Sequence, residues 1–188
     1  MIKWWFLIIG IIIANPLLAK CKIDTHPFGT SASKIEKSVS EWGSFEPIPN
    51  VNKEIFTSFE TICPELKKST LGRETNVFYH FIKDKLVAIE LVLQTTDKLE
   101  LFEWGKKQFG ISEERDLAKA EQVIQVEDGN RIIQLFVGVL PDVTFQNVVL
   151  ISTKHDDLFE YQYQQEDNIN WDTYEMAPLE PITLGEEN

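Results

Sequence analysis

Three histidines, His26, His80 and His155, are the side chains best suited to exchange protons near neutral pH. Hydrolytic catalysis requires a nucleophile, a base and an orienting acid brought together in space. His26 lies in an N-terminal loop, His80 in an apolar run and His155 in a polar turn. None of them belongs to a recognisable catalytic motif, so we expect structural or solvated roles for all three.

The polar turn of residues 154–157 contains a histidine and two aspartates, which are ligand types for a metal ion. These residues are adjacent in sequence, so they form no site unless another element comes near. The chain contains no HExxH, GxSxG, P-loop or GxGxxG motif, the minimal signatures of zinc proteases, serine hydrolases and nucleotide-binding domains. We therefore predict no catalytic residue, no metal and no cofactor. The alternative is an enzyme with dispersed catalytic residues, which requires a pocket holding His80 or His155 beside a carboxylate.

The chain has two cysteines, Cys21 and Cys63. Their spacing excludes a CxxC redox pair, and no histidine pattern accompanies them as a zinc site would require. In an oxidising compartment we expect them to form a disulfide, which would close a loop of about 43 residues and stabilise the fold by roughly 4 kcal/mol. Two unpaired buried thiols are the alternative.

The start of the chain is typical of a secretory signal peptide. Lys3 supplies a positive charge, residues 4–14 form an uncharged apolar run, and the small residue Ala19 stands where a signal peptidase would cut. We therefore expect export to the periplasm or the medium, a mature chain that begins at Lys20, and no stable membrane insertion. Two alternatives are an uncleaved membrane anchor, which needs about 20 apolar residues, and a lipoprotein modified at Cys21.

The chain carries 30 acidic and 18 basic residues, which gives a formal net charge of -12. Such a surface repels nucleic acid and anionic lipid and attracts basic proteins, although it also serves simple solubility. Aromatic side chains often anchor protein interfaces because each buries a large area. The aromatic residues predicted to contact a partner lie in the last predicted strand and the acidic tail: Phe159, Tyr161, Tyr163, Trp171 and Tyr174. The alternative is that they pack onto the domain itself.

Helical periodicity predicts two short helices near the start of the mature chain. The first begins at a capping box formed by Ser33 and Glu36 and ends at Gly43. Its buried stripe is predicted from apolar residues at helical spacing: Ile35, Val39 and Trp42. The second helix covers residues 55–62 and ends before Pro64, with apolar residues again at helical spacing: Ile55, Phe59 and Ile62.

The best-marked helix covers residues 96–109. Thr96 is its expected N-cap, acidic residues lie in its first turn, where the helix dipole favours them, and Gly110 follows its end. Residues 111–120 fit either a charged turn of helix or a loop.

Alternation of apolar and polar residues predicts six strands that form three hairpins. These are residues 76–82 with 86–94, 123–126 with 131–140, and 145–152 with 158–164. In the second strand, one face is predicted to point into the core: Val87, Ile89, Leu91 and Leu93. Short polar turns join the strands of each hairpin, which favours antiparallel pairing.

The order of these elements predicts an α+β fold, an antiparallel sheet of about six strands with helices packed on one face. A signal peptide at residues 1–19 would precede a single domain at 20–164, and an acidic, partly disordered tail would follow at 165–188. These features favour an exported, non-enzymatic domain that binds another protein, such as an inhibitor or immunity protein against a cell-wall-directed enzyme or toxin. A structural or assembly component of the bacterial envelope is the alternative.

Overall fold

The computed structural model describes residues 21, 23, 25–96, 98–116 and 119–166. The predicted signal peptide, and the tail from residue 167 onward, lie outside these residues. Five α-helices lie within them: α1 (Ala32–Glu36), α2 (Phe59–Ile62), α3 (Thr70–Glu74), α4 (Glu100–Phe109) and α5 (Asp156–Glu166). Two 3-10 helices, Pro64–Leu66 and Thr153–His155, precede α3 and α5.

The described strands form one antiparallel sheet. They are β1 (Gly43–Phe45), β2 (Asn52–Ser58), β3 (Asn76–Ile82), β4 (Lys85–Thr95), β5 (Glu121–Asp128), β6 (Arg131–Val139) and β7 (Thr144–Ser152). Their spatial order is β1-β2-β3-β4-β7-β6-β5. The predicted α+β class is confirmed, with seven strands instead of about six.

The main core lies between one side of the sheet and helices α1 to α4. Alternate residues of the central strands point into it, because successive side chains of a strand face opposite sides. The helices contribute fully buried side chains to this core: Leu101 and Phe102 of α4, Ile35 of α1 and Phe59 of α2. The prediction that helices pack on one face is therefore confirmed for these four helices.

The predicted second helix is wrong over its first half, because residues 52–58 form strand β2. β2 pairs with β1 on one side and with β3 on the other. Ile55 and Thr57 point into the core while Glu54 and Phe56 are half-buried, which is a period of two. Helix α2 keeps only Phe59–Ile62 of the predicted segment.

The predicted capping box of the first helix is also wrong. Helix α1 begins after Ser31, whose side chain makes no capping hydrogen bond. The backbone N–H of Ala32 instead donates to Oδ1 of Asp84, at 2.9 Å, from the turn between β3 and β4. Gly43 belongs to strand β1, so the helix ends well before it.

The predicted hairpin of β3 and β4 is confirmed, and its two-residue turn consists of Lys83 and Asp84, both with positive φ. One detail differs. The register shifts between His80 and Phe81, so Val87 packs in a second, smaller cluster with Ile82 and Leu158 instead of the main core. The hairpin of β5 and β6 and the strand at β7 are confirmed as well.

The last predicted strand is wrong, because residues 156–166 form helix α5. β7 lies between β4 and β6, so both of its edges are already paired. A segment that follows β7 therefore has no free edge of that strand to join. Leu158 packs against Ile82 and Val87 on the side of the sheet opposite to the main core.

The predicted disulfide between Cys21 and Cys63 is confirmed, with the two Cα atoms 5.3 Å apart. Both residues are buried in the main core. The bridge attaches the start of the described chain to the end of α2. Within the described residues, none of the helices has the length and apolar character needed to span a membrane.

Candidate protein-binding face

The side of the sheet opposite to helices α1 to α4 is a candidate binding surface, here called the open face. Helix α5 packs at one end of it, next to the turn between β3 and β4. Side chains at alternate positions of the strands line the rest, and most of them are half-buried. Half-buried apolar side chains on an uncovered sheet are a feature of surfaces that bind other proteins.

Four polar side chains cross the middle of the open face and form a polar row: Glu54, His80, Glu90 and Asn147. They lie on four neighbouring strands, β2, β3, β4 and β7. The Nδ1 atom of His80 lies 3.3 Å from Oε1 of Glu54, and its Nε2 atom lies 3.2 Å from Oε2 of Glu90. The Nδ2 group of Asn147 donates to Oε1 of Glu90 at 2.7 Å.

His80 carries a positive charge at neutral pH in this environment. Burial by itself would lower the pKa of His80, but hydrogen bonds to Glu54 and Glu90, together with their negative charges, outweigh burial and raise the pKa to about 9. Both ring nitrogens then donate to carboxylates. His80 offers no free nitrogen to accept a proton from a substrate, so its role in this row is to hold the two glutamates in place.

Three phenylalanines extend the open face from the polar row toward β1. The rings of Phe45 and Phe56 lie 6.5 Å apart, and those of Phe56 and Phe78 lie 6.1 Å apart. The ring of Phe78 stacks on His80 with centroids separated by 6.4 Å. The ring of Phe56 covers Gly43, where a Cβ would approach it within 2.3 Å. Glycine in β1 therefore leaves the space that the Phe56 ring occupies.

A hollow of about 410 Å³ opens on the other side of the polar row. Its lining residues come from β4, β5, β6, β7 and the loop after β6: Glu90, Val92, Glu121, Phe136, Gly138, Leu140, Phe145 and Asn147. Gly138 has no side chain, and a Cβ there would lie 3.0 Å from the ring of Phe136. The hollow therefore has apolar aromatic walls, with carboxylates and one amide at its edges.

Each of the other two histidines contacts the hydroxyl group of a serine. Nδ1 of His155 lies 2.7 Å from Oγ of Ser152, which is buried. Nε2 of His26 lies 3.0 Å from Oγ of Ser38, and burial lowers the pKa of His26. In the main core, burial raises the pKa of Tyr79 to about 12. His26 and His155 are therefore each hydrogen-bonded to a serine hydroxyl.

Among the described residues, one group brings three ligand-type atoms together: Cys21, Cys63 and Glu65. The two sulfurs form a disulfide, so they cannot act as thiolate ligands. In the polar row, Glu54 and Glu90 approach opposite nitrogens of the His80 ring, so their atoms do not converge on one point.

The aromatic residues predicted to bind a partner do not share one strand face. Phe159 and Tyr161 lie on α5 and pack against the smaller cluster, and the ring of Tyr161 lies 3.3 Å from Nζ of Lys83. Tyr163 is exposed on the same helix. Trp171 and Tyr174 lie outside the described residues. Three of the five predicted residues therefore lie on one helix at one end of the open face, and two of those three pack against the domain.

The sequence alone predicts neither the polar row nor the hollow. Part of the signal is present in the sequence, since the predicted core face of β4 contains Ile89 and Leu91, which leaves Glu90 on the side facing away from the core. Because residues 55–62 are predicted to form a helix, the sequence does not place Glu54 on a strand beside His80. Asn147 follows another polar residue, Gln146, in the strand, and only the sheet order brings Asn147 beside Glu90.

No protein-family model matches this chain, and no curated protein or solved structure shows significant similarity to it.

Proposed function

We propose that this protein is an exported, non-enzymatic domain of the bacterial envelope that binds a basic protein on its open face. The observation that carries the proposal is the open face itself, where phenylalanines flank a hydrogen-bonded polar row and, apart from α5 at one end, no helix among the described residues covers the sheet. Interfaces of this kind combine aromatic side chains with polar groups that fix the orientation of the partner.

The charge of the chain supports a basic partner. The formal net charge is -12, and His80 neutralises only one of the two carboxylates beside it. Opposite charge speeds association and discriminates against acidic competitors. Enzymes and toxins that act on the negatively charged cell wall are a class of basic protein that this domain would meet after export. An inhibitor or immunity protein against such an enzyme is the form of the proposal that we favour.

The first test is capture of partners by the full exported protein, tagged at its C-terminus, from an envelope extract at about 50 mM salt. We expect a basic protein that is released as the salt concentration rises, because screening weakens attraction between exposed charges. The purified partner should bind with a defined stoichiometry, and a cell-wall hydrolase among the captured proteins should lose activity on peptidoglycan. Binding that is insensitive to salt would contradict the proposal.

A matched pair of variants tests whether the open face makes the contact. Val149 is half-buried on the open face opposite Glu90 in the β-ladder, and Val126 is exposed on edge strand β5 with its side chain on the other side of the sheet. V149K should weaken binding of the captured partner at least tenfold, because it puts a positive charge on the contact surface. V126K should bind as the unmodified protein does. Equal loss in both variants would argue against the open face.

The edge strand β5 supports the second candidate, an envelope assembly component. β5 runs for eight residues without proline, lysine or a register shift, and Val123 is 56% exposed on it. Natural sheets place proline, lysine or a β-bulge in their edge strands to prevent pairing with another strand. β5 lacks these features, so its free edge can accept a strand of a partner. This candidate predicts co-purification with envelope assemblies at high salt, and loss of that association in a Val123→Pro variant.

A further inference from the structure

The side chains that line the hollow on the open face offer mostly hydrogen-bond acceptors. One N–H of Asn147 Nδ2 donates to Glu90, which holds the amide in place, and its Oδ1 is an acceptor that can bind a ligand. Both ring nitrogens of His80 are engaged by glutamates beside the hollow. The carboxylate of Glu121 is exposed, and among the described residues it has no hydrogen-bond or ion-pair partner. A ligand that fits these groups must bring donors and a positive charge.

The walls of the hollow select for a flat and partly apolar ligand. Phe136 and Phe145 flank the floor at Gly138, and Leu140 is an exposed apolar residue at the edge. Aromatic faces attract cations, and a planar guanidinium stacks on them more readily than a compact, strongly hydrated ammonium does. A guanidinium group carries five N–H donors and no acceptor, which complements the acceptors at the edge of the hollow.

We infer that the hollow binds an arginine side chain of the partner protein, an inference that rests on the proposed function. The guanidinium stacks on Phe136 and donates to the Glu121 carboxylate and to Oδ1 of Asn147. The methylene stem of the arginine lies against Leu140 and Val92. Arginine is among the residues that most often dominate protein interfaces, and such residues sit in well-packed pockets, which fits a preformed hollow on the open face.

The inference is tested with small probes and the isotopically labelled exported protein. The probes are N-acetyl-arginine methylamide, its lysine counterpart, and its citrulline counterpart, in which a neutral urea replaces the guanidinium. We expect saturable NMR shifts of the backbone amides of Gly138 and Asn147 with the arginine probe, with a Kd of about 1–10 mM, the range for one small group. The lysine probe should bind several-fold more weakly, and the citrulline probe should cause no saturable shift.

Two charge-neutralising variants on one strand provide the control. Glu121 and Glu127 lie on the same side of β5, both are exposed, and only Glu121 lines the hollow. E121Q should weaken arginine binding about fivefold to tenfold, and E127Q should leave it unchanged. Because both side chains are exposed, both variants should fold normally.

Three outcomes would overturn the arginine assignment. They are equal shifts with citrulline, equal affinity for lysine, and an unchanged Kd in E121Q. These results are separable from the test of the proposed function. If a partner is captured on the open face in a salt-sensitive way but the arginine probe does not bind in the hollow, this inference is rejected and the proposed function stands.

Discussion

His80 is the residue on which the charge balance of the open face depends. It lies on β3 between Glu54 of β2 and Glu90 of β4, and its side chain is 26% exposed. A protonated imidazole there removes the repulsion that two neighbouring carboxylates would otherwise feel. The position therefore links the stability of the sheet to pH.

The stability of the protein should fall as the pH rises from about 6.5 to about 9. The pKa of His80 is raised to about 9, so the folded protein keeps a proton that the unfolded chain, with its ordinary pKa near 6.5, has released. This stabilisation is fully present below the pKa of the unfolded chain and is lost as the pH rises through the pKa of the folded protein. It contributes at most roughly 3 kcal/mol to the free energy of unfolding. Urea denaturation at several pH values measures it.

The variant H80Q tests whether His80 is responsible for the change of stability with pH. Glutamine keeps a donor for one glutamate but does not titrate, so the free energy of unfolding of H80Q should change much less between pH 6.5 and 9. The absolute stability of H80Q should also be lower, since two carboxylates lose their counter-charge. An unchanged slope in H80Q would assign the pH dependence to another group.

Gln146 is the second residue with a role that can be tested by itself. It is fully buried on β7, its Oε1 accepts from the backbone N–H groups of Leu101 and Phe102, and its Nε2 donates to the carbonyl of Lys98 at 2.8 Å. Leu99, at the N-cap of α4, makes no side-chain capping bond. A glutamine side chain from the sheet therefore accepts hydrogen bonds from the free backbone N–H groups at the start of α4.

Replacing Gln146 by leucine should lower the free energy of unfolding by about 2–4 kcal/mol. The side chain keeps its approximate size, but several buried backbone groups lose their partners. Q134L is the control, because Gln134 lies half-buried on the open face of neighbouring strand β6 and bonds one side chain, that of Gln125. Q134L should change stability by less than about 1 kcal/mol. Chemical denaturation of both variants measures the two changes in the free energy of unfolding.

At the scale of elements, helix α4 depends on a close approach to the sheet. Gly105 is buried in the middle of this helix, and a Cβ there would lie 2.7 Å from Cδ2 of Leu135 and 2.9 Å from Cγ2 of Val148. These two side chains belong to β6 and β7. Glycine lowers the intrinsic stability of a helix, and the close packing of α4 on the sheet offsets that loss.

G105A should therefore destabilise the protein, although alanine favours a helix over glycine by about 1 kcal/mol. The added methyl group would force α4 or the side chains of β6 and β7 to move, at a net cost of about 1–3 kcal/mol. K107A, at an exposed position of the same helix, should be close to neutral. A thermal melt in which G105A is more stable than the unmodified protein would contradict the packing argument.

The elements that the sequence predicted wrongly share a physical cause. Residues 52–58 and 158–164 are short, and both contain apolar residues that fit a period of two as well as a helical spacing. For the first segment, pairing with β1 and β3 on both sides decides for a strand. For the second, no edge of β7 remains free, and the acidic residues Asp156 and Asp157 favour the start of a helix.

At the scale of the whole molecule, the disulfide attaches the start of the described chain to the layer of helices. Cys21 lies 42 residues before Cys63, and both are buried in the main core. The Nε2 group of Gln108 on α4 also donates to the backbone carbonyl of Cys21, at 3.2 Å. The segment that closes this part of the core is therefore held by one covalent bond and by contacts with α4.

Removing the disulfide should lower the free energy of unfolding by about 2–5 kcal/mol, because the unfolded chain gains freedom when a long loop opens. The double variant C21A/C63A should melt roughly 10 °C lower than the unmodified protein. Treatment with a reductant should shift the unmodified protein in the same direction and leave the double variant unchanged. An equal melting temperature in all samples would show that the bridge adds no stability.

The sequence by itself determined the class of the fold, the hairpins of β3 with β4 and of β5 with β6, the end of α4 at Gly110, and the disulfide. These features depend on local alternation, turn residues and composition, which are readable along the chain. The tertiary structure alone decided the sheet order, the helix at α5 and the cap that Gln146 provides for α4. It also decided the polar row and the hollow, because their residues come from strands that are distant in sequence. Hydrogen bonding between those strands sets which side chains become neighbours, and no local pattern carries that information.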